Sequence, residues 1–217
     1  MRDRVARHHV RDEIKRRILS GESKPGERLS QQSLARELGV AQGTVRESLM
    51  ELHWLGLVES IDHLGVFVGN LDASRICQAY QVREVLEGLA ARLCCGNAGR
   101  TDIVELRRMA DEVYEFSQKG KEVEMGRLDR DFHIRIIMLS RNSILMRLAE
   151  TYRALGMTVR ASRMPKIIHE EHMHIVDAIE QNVPEEAERL SRLHVAAAGH
   201  MIEADARQGK FVPKWVE

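Results

Sequence analysis

The sequence predicts a mostly α protein in two parts: a small helical head carrying a β-hairpin, then a larger antiparallel bundle of six or seven helices. Three observations carry this expectation. Aromatic residues make up 4% of the 217 positions against 43% hydrophobic residues, and β-branched runs are few, which favours helices packed through Leu, Ala, Ile and Met. Short β-type runs are confined to one place, residues 57–68. From Asp72 onward the apolar spacing keeps a helical period. The length suits two domains rather than one, with the division drawn between residues 1–70 and 71–217.

The elements follow in order. Val5, Ile14, Ile18 and Leu19 stand in a charged frame over residues 4–19, an amphipathic helix that stops at Gly21; Lys24-Pro25-Gly26 is a turn. Ser30 is an N-cap for a short helix whose apolar face is Leu34, Ala35 and Leu38, and Gly39 sits at its C-cap. A second short helix runs from Gln42 to Leu55 through Val45, Leu49 and Leu52, and Gly56 breaks it. Leu57–Ile61 and Val66–Val68, joined by the turn-like Asp62-His63-Leu64-Gly65, form the hairpin. Asp72 then caps the first of six helices, expected near 73–95, 102–118, 122–139, 143–161, 165–181 and 185–207. Thr101-Asp102, Asn142 and Asn182-Val183-Pro184 supply starts, and Gly120 and Gly209 supply stops.

Composition excludes several classes. The formal net charge is zero, but residues 1–17 hold seven basic side chains against three acidic ones, a local excess suited to phosphate. Cys77, Cys94 and Cys95 have no CxxC spacing and form no disulfide framework, so a reducing, cytoplasmic setting is expected. The Arg-rich start lacks the apolar core of a secretory signal, and no apolar run reaches the roughly 18 residues that a membrane helix needs.

Two short helices linked by Leu38-Gly39-Val40-Ala41 make a helix-turn-helix, and the hairpin makes it winged. In such a unit the second helix enters the major groove by its N-terminal end, which here carries Gln42, Gly43, Thr44 and Arg46. Ser30 and Gln32 at the start of the preceding helix, and His63 and Gly65 in the wing, complete the expected DNA face. Residues 10–69 closely resemble the GntR family of bacterial regulators. The resemblance is carried by Pro25-Gly26-Glu27-Arg28-Leu29-Ser30, Leu34-Ala35, Leu38-Gly39-Val40, Thr44-Val45-Arg46-Glu47-Ser48-Leu49, Gly56-Leu57-Val58 and Gly65-Val66-Phe67-Val68. It implies a homodimer on a palindromic double-stranded operator. The family's usual Ser-Arg pair before the second helix is replaced by Ala41-Gln42, followed by Gly43.

Asp129 and His133 stand four apart on one expected helix, and His172 and His194 lie on two later ones, 22 residues from each other. A carboxylate and three imidazoles from three helices can converge on a divalent ion, and that donor set favours zinc or nickel over magnesium or calcium. His169 could share the face of His172, whereas His174 could not. Residues 72–207 resemble the FCD ligand-binding domain, through Arg83-Glu84-Val85-Leu86-Glu87, Asp129-Arg130-Asp131-Phe132-His133, Asn142, Glu171-His172 with Ala178-Ile179, and His194. The resemblance implies that Asp129, His133, His172 and His194 are metal ligands and that a small organic acid binds beside them. Arg83 and Asn142 are the candidate effector contacts; Arg83 could instead pair with Glu87, and Asn142 could cap its helix. The expected function is an effector-controlled transcription regulator, a repressor. A metal-responsive regulator and a metal-dependent hydrolase are the alternatives, the second weakened by the lack of an HExxH-type base.

Overall fold

The computed structural model describes residues 2–70, 72–156 and 163–211. These form two compact units that divide between Asp72 and Ala73. The first holds α1 (Arg2–Leu19), β1 (Arg28–Leu29), α2 (Gln31–Leu38), α3 (Gln42–Trp54), β2 (Val58–Ile61) and β3 (Gly65–Val68). The second holds α4 (Ala73–Cys94), α5 (Arg100–Gln118), α6 (Glu122–Leu139), α7 (Ser143–Gly156), α8 (Pro165–Glu180) and α9 (Pro184–Arg207).

In the first unit, Val10, Ile14 and Ile18 recur every fourth residue of α1 and are buried, as are Val45, Leu49 and Leu52 of the α3 that α1 packs on. α2 starts where the Ser30 hydroxyl accepts the Ser33 N–H at 3.3 Å. It ends at Gly39, whose φ of 65° suits a residue without Cβ and whose N–H donates to the Ala35 carbonyl. β2 and β3 pair antiparallel from Val58↔Val68 to Ile61↔Gly65, and the turn between them carries His63 at φ 62°. β1 pairs with the other edge of β3, so the sheet order is β1-β3-β2 and the wing has three strands rather than the hairpin alone. A two-residue strand shows no alternation and exists only through its partner, so the sequence pattern does not reveal it.

In the second unit, α9 lies along α4, α8 packs on α5 and α9, and α6 packs on α5 and α4. The shared core includes Ala90, Ala91, Leu106, Phe132, Ile136, Ile175, Val176 and Ala187. Helix bounds match the apolar spacing to within two residues, apart from the last part of the 143–161 helix, since 157–161 fall outside the described residues. α5 begins at Arg100 instead of after Thr101, because Asp102 reaches back to accept the Gly99 N–H at 2.9 Å. α4 and α9 approach closely at Gly88: a Cβ there would stand 2.4 Å from Cγ of Arg192. Cys77, Cys94 and Cys95 are free thiols.

Candidate functional site

α6, α8 and α9 each turn one histidine into the bundle, and His133, His172 and His194 are all buried there. His194 Nε2 lies 3.2 Å from His133 Nε2 and 3.3 Å from His172 Nε2. Behind the rings stand carboxylates. Glu171 Oε2 is 2.7 Å from His194 Nδ1, and its other oxygen accepts from Arg163 at 2.5 Å. Glu87 Oε2 lies 2.9 Å from His133 Nδ1, close but poorly aligned for a hydrogen bond, while Oε1 accepts from Arg83 Nε at 2.8 Å. His172 Nδ1 is buried without a hydrogen-bond partner, and its ring stacks on Phe132 with centroids 4.1 Å apart.

These environments fix protonation. Burial pushes His172 well below the usual imidazole range, and the nearby His194 and His133 push the same way. Burial also lowers His194, against the opposing hydrogen bond to Glu171. Burial alone would raise Glu171, but its bonds to His194 and Arg163 outweigh that and hold it at about 2. Glu87 is likewise held at about 2, with Arg83 and His133 outweighing the effect of burial. The Glu171 carboxylate behind His194 Nδ1 draws the ring proton to that nitrogen, which leaves His194 Nε2 a bare lone pair. That lone pair faces the Nε2 atoms of His133 and His172 at 3.2 and 3.3 Å, close enough for one cation to be shared by all three. The donor set therefore fits a metal: three buried imidazoles, two of them backed at Nδ1 by carboxylates of the kind that orient metal-bound histidines.

The other candidate surface lies in the first unit. An open groove of about 320 Å³ runs between the wing and the first turns of α2 and α3, lined by Arg28, Ser30, Gln31, Gln32, Gln42 and Gly65 among others. α3 has Ala41 at its N-cap and no side-chain cap, and only Thr44 and Val45 reach the Ala41 carbonyl, so the Gln42 and Gly43 N–H groups remain open to an acceptor from outside, as at an anion-binding helix end. Gly43 has no atom within 4 Å of where a Cβ would be. Arg46 and His63 are exposed, and Thr44 is half-buried. Ser30 serves as the α2 cap while lining the groove. The basic start of the chain is less available than its composition suggests. Arg7 pairs with Glu47 and Glu51, Arg16 with Glu13 and Glu22, and Arg17 with Glu13 and Glu37.

Comparison with known proteins decides the family. Residues 78–197 match the FCD domain, and residues 6–68 match the bacterial regulatory proteins of the gntR family. The chain is 33% identical over 195 residues to the "Probable D-xylose utilization operon transcriptional repressor" of Paenarthrobacter nicotinovorans, covering 87% of this chain and 84% of that one. It is an FCD-type GntR regulator. The "Nta operon transcriptional regulator" of Aminobacter aminovorans is 30% identical over 179 residues, 79% of this chain and 82% of its own length. The fold is also that of E. coli McbR/YncC, with a TM-score of 0.72 at 19% identity over 93% of this chain and 98% of that one. The family and these relatives are transcriptional regulators, not enzymes. No helix among the described residues is long and apolar enough to cross a membrane.

Within this regulator the expected ligands separate into a core and a margin. The three histidines meet, while Asp129, half-buried, reaches the cluster through one oxygen 3.5 Å from His172 Nε2. Arg83 is buried against Glu87 with its guanidinium 4.5 Å above the Tyr80 ring, one carboxylate behind His133. Asn142 is engaged elsewhere: its Oδ1 accepts the Ile144 and Leu145 N–H groups, both at 3.1 Å, and so caps α7. His169 faces α5, where it contacts Asp111 at 2.8 Å, and does not join the triad. Sequence reasoning singled out neither Glu87 and Glu171 as the carboxylates behind the histidines nor Arg28 in the groove. The available signals were adjacency of Glu171 to His172 and the four-residue step from Arg83 to Glu87.

Proposed function

We propose that this regulator is a homodimeric repressor that binds a palindromic operator through the winged head and is released by a small organic acid bound beside a divalent metal ion. The observation that carries the reading is the meeting of three buried imidazole Nε2 atoms inside the bundle. His133, His172 and His194 hold the ion, with Asp129 as the fourth, marginal donor. Three nitrogens and one oxygen favour zinc or nickel. When bound, the ion supplies positive charge and open coordination positions to a carboxylate. Arg83 adds a second buried cation behind His133. The D-xylose relative's description as a repressor supports the sign of control. On the DNA side, Ser30, Gln32, Gln42, Gly43, Thr44 and Arg46 face the operator, with His63 and Gly65 contributed by the wing.

The test uses the full chain. Metal content by mass spectrometry is expected to fall to near zero in both His172→Ala and His194→Ala, while Arg46→Ala keeps its metal and loses operator binding at moderate salt. A gel-shift titration with small mono- and dicarboxylates is expected to release wild-type protein from its operator. Unchanged metal in both histidine variants removes the site, and unchanged operator affinity at saturating carboxylate removes the control mechanism.

A further inference from the structure

The groove between the wing and the helix tips is built to read bases with amides. Gln32 and Gln42 are exposed, stand in the first turns of α2 and α3, and line the same groove. Neither side chain has a hydrogen bond or ion pair among the described residues, so both carboxamides keep a donor and an acceptor free. Arg28 is the charged residue among those lining this groove. Its guanidinium lies over Gly65 of the wing, where a Cβ would meet Nε at 3.2 Å. Phosphate attraction at this place therefore comes from Arg28 and the uncapped α3 tip, and the glutamines add none.

A glutamine amide offers one donor and one acceptor on adjacent atoms. In the major groove adenine presents N7 as acceptor and N6–H as donor, which matches that pair in both senses. Guanine presents two acceptors, N7 and O6, and leaves the amide oxygen facing an acceptor. An arginine fork has the opposite preference. We infer that Gln32 and Gln42 are specificity-determining residues that read adenines, so that each operator half-site carries A·T pairs where this groove meets the bases. The inference rests on the operator-binding reading above. It adds which bases are selected and by which two side chains.

The experiment is selection of random duplexes by the full-length protein at low salt, followed by affinity measurement on the enriched site and on copies with single A-to-G changes. The enriched half-site is expected to hold two adenines whose replacement by guanine each weakens binding about tenfold. Gln42→Arg is expected to move one of those preferences to guanine, and Gln32→Ala to flatten the other. Gln32→Ala and a further variant, Gln42→Ala, should each keep the wild-type slope of affinity against salt, whereas Arg28→Ala should lower that slope by about one unit. Guanine at both positions, or base preferences that neither glutamine substitution alters, overturns the inference while leaving the regulator reading intact. Enrichment of no sequence at all overturns the regulator reading, and this inference with it.

Discussion

The three histidine rings are held in three different ways, and the difference ranks them. His194 has the best-supported ring, with Glu171 at 2.7 Å from Nδ1 and Arg163 fixing Glu171 in turn. His133 has the less well aligned Glu87, and His172 has no Nδ1 partner and is oriented by stacking on Phe132. A carboxylate behind a ligating imidazole raises its basicity and fixes its orientation, and its loss costs about 10- to 100-fold in metal affinity. Glu171→Gln keeps the shape and removes the charge. It is expected to weaken zinc binding by about that factor in a chelator competition at pH 7, while the metal-free protein melts somewhat lower because Arg163 loses its charged partner. Wild-type affinity in Glu171→Gln shows that Glu171 serves only to pair Arg163. At this scale the sequence reveals residue types and little geometry. The helical step from Asp129 to His133 is local and readable, but His133, His172 and His194 come from α6, α8 and α9 and meet only through bundle packing. Glu87 is unreadable for a related reason. Four residues after Arg83, it has the spacing of an ordinary surface ion pair, and its burial depends on neighbours from other helices.

Helix ends were largely legible because caps are local chemistry: Ser30 and Gly39 mark α2 in the sequence and close it in the structure. β1 and the start of α5 were not, since one needs a partner strand and the other uses a glycine with a carboxylate three residues on. Two element contacts carry measurable consequences. Gly88→Ala would place a Cβ against Arg192 Cγ and 3.3 Å from the Glu188 carbonyl, so the Arg192 side chain must move and α4 and α9 give by a few tenths of an ångström. A loss of about 1–3 kcal/mol is expected in denaturant unfolding. In an Arg192→Ala background the loss should shrink; the same loss in both backgrounds would show that the backbone carbonyl, not the side chain, sets the spacing. In α1, bonds from Arg16 and Arg17 hold the Glu13 carboxyl at about 2, against an ordinary value of 4.5. The folded group binds its proton later than the unfolded one, so its stabilising contribution is complete above about pH 4.5 and is lost as pH falls toward 2. Glu13→Gln should therefore flatten the stability of the first unit across that acid range, and an unchanged slope would assign the acid response to other carboxylates.

For the whole molecule, two units with separate cores imply two ligand-specific stabilities. The apolar set of α1, α3 and the wing belongs to the first unit, and the triad lies wholly in the second. A ligand that binds only a folded unit stabilises that unit by about 2.7 kcal/mol when present at 100 times its Kd. For a unit of this size such a gain moves the melting temperature on the order of 10 °C. Chelation is therefore expected to lower the transition of the second unit by roughly that amount and leave the first in place, whereas operator DNA raises the first. If control is an exchange between carboxylate and operator, the coupling must be reciprocal: a carboxylate that weakens operator binding by some factor must itself bind the DNA-bound protein more weakly by the same factor. Isothermal titration of one carboxylate into free and operator-bound protein measures both sides. Equal carboxylate affinities, alongside operator release in a gel shift, would mean that the release comes from competition for DNA or from salt, and not from the bundle.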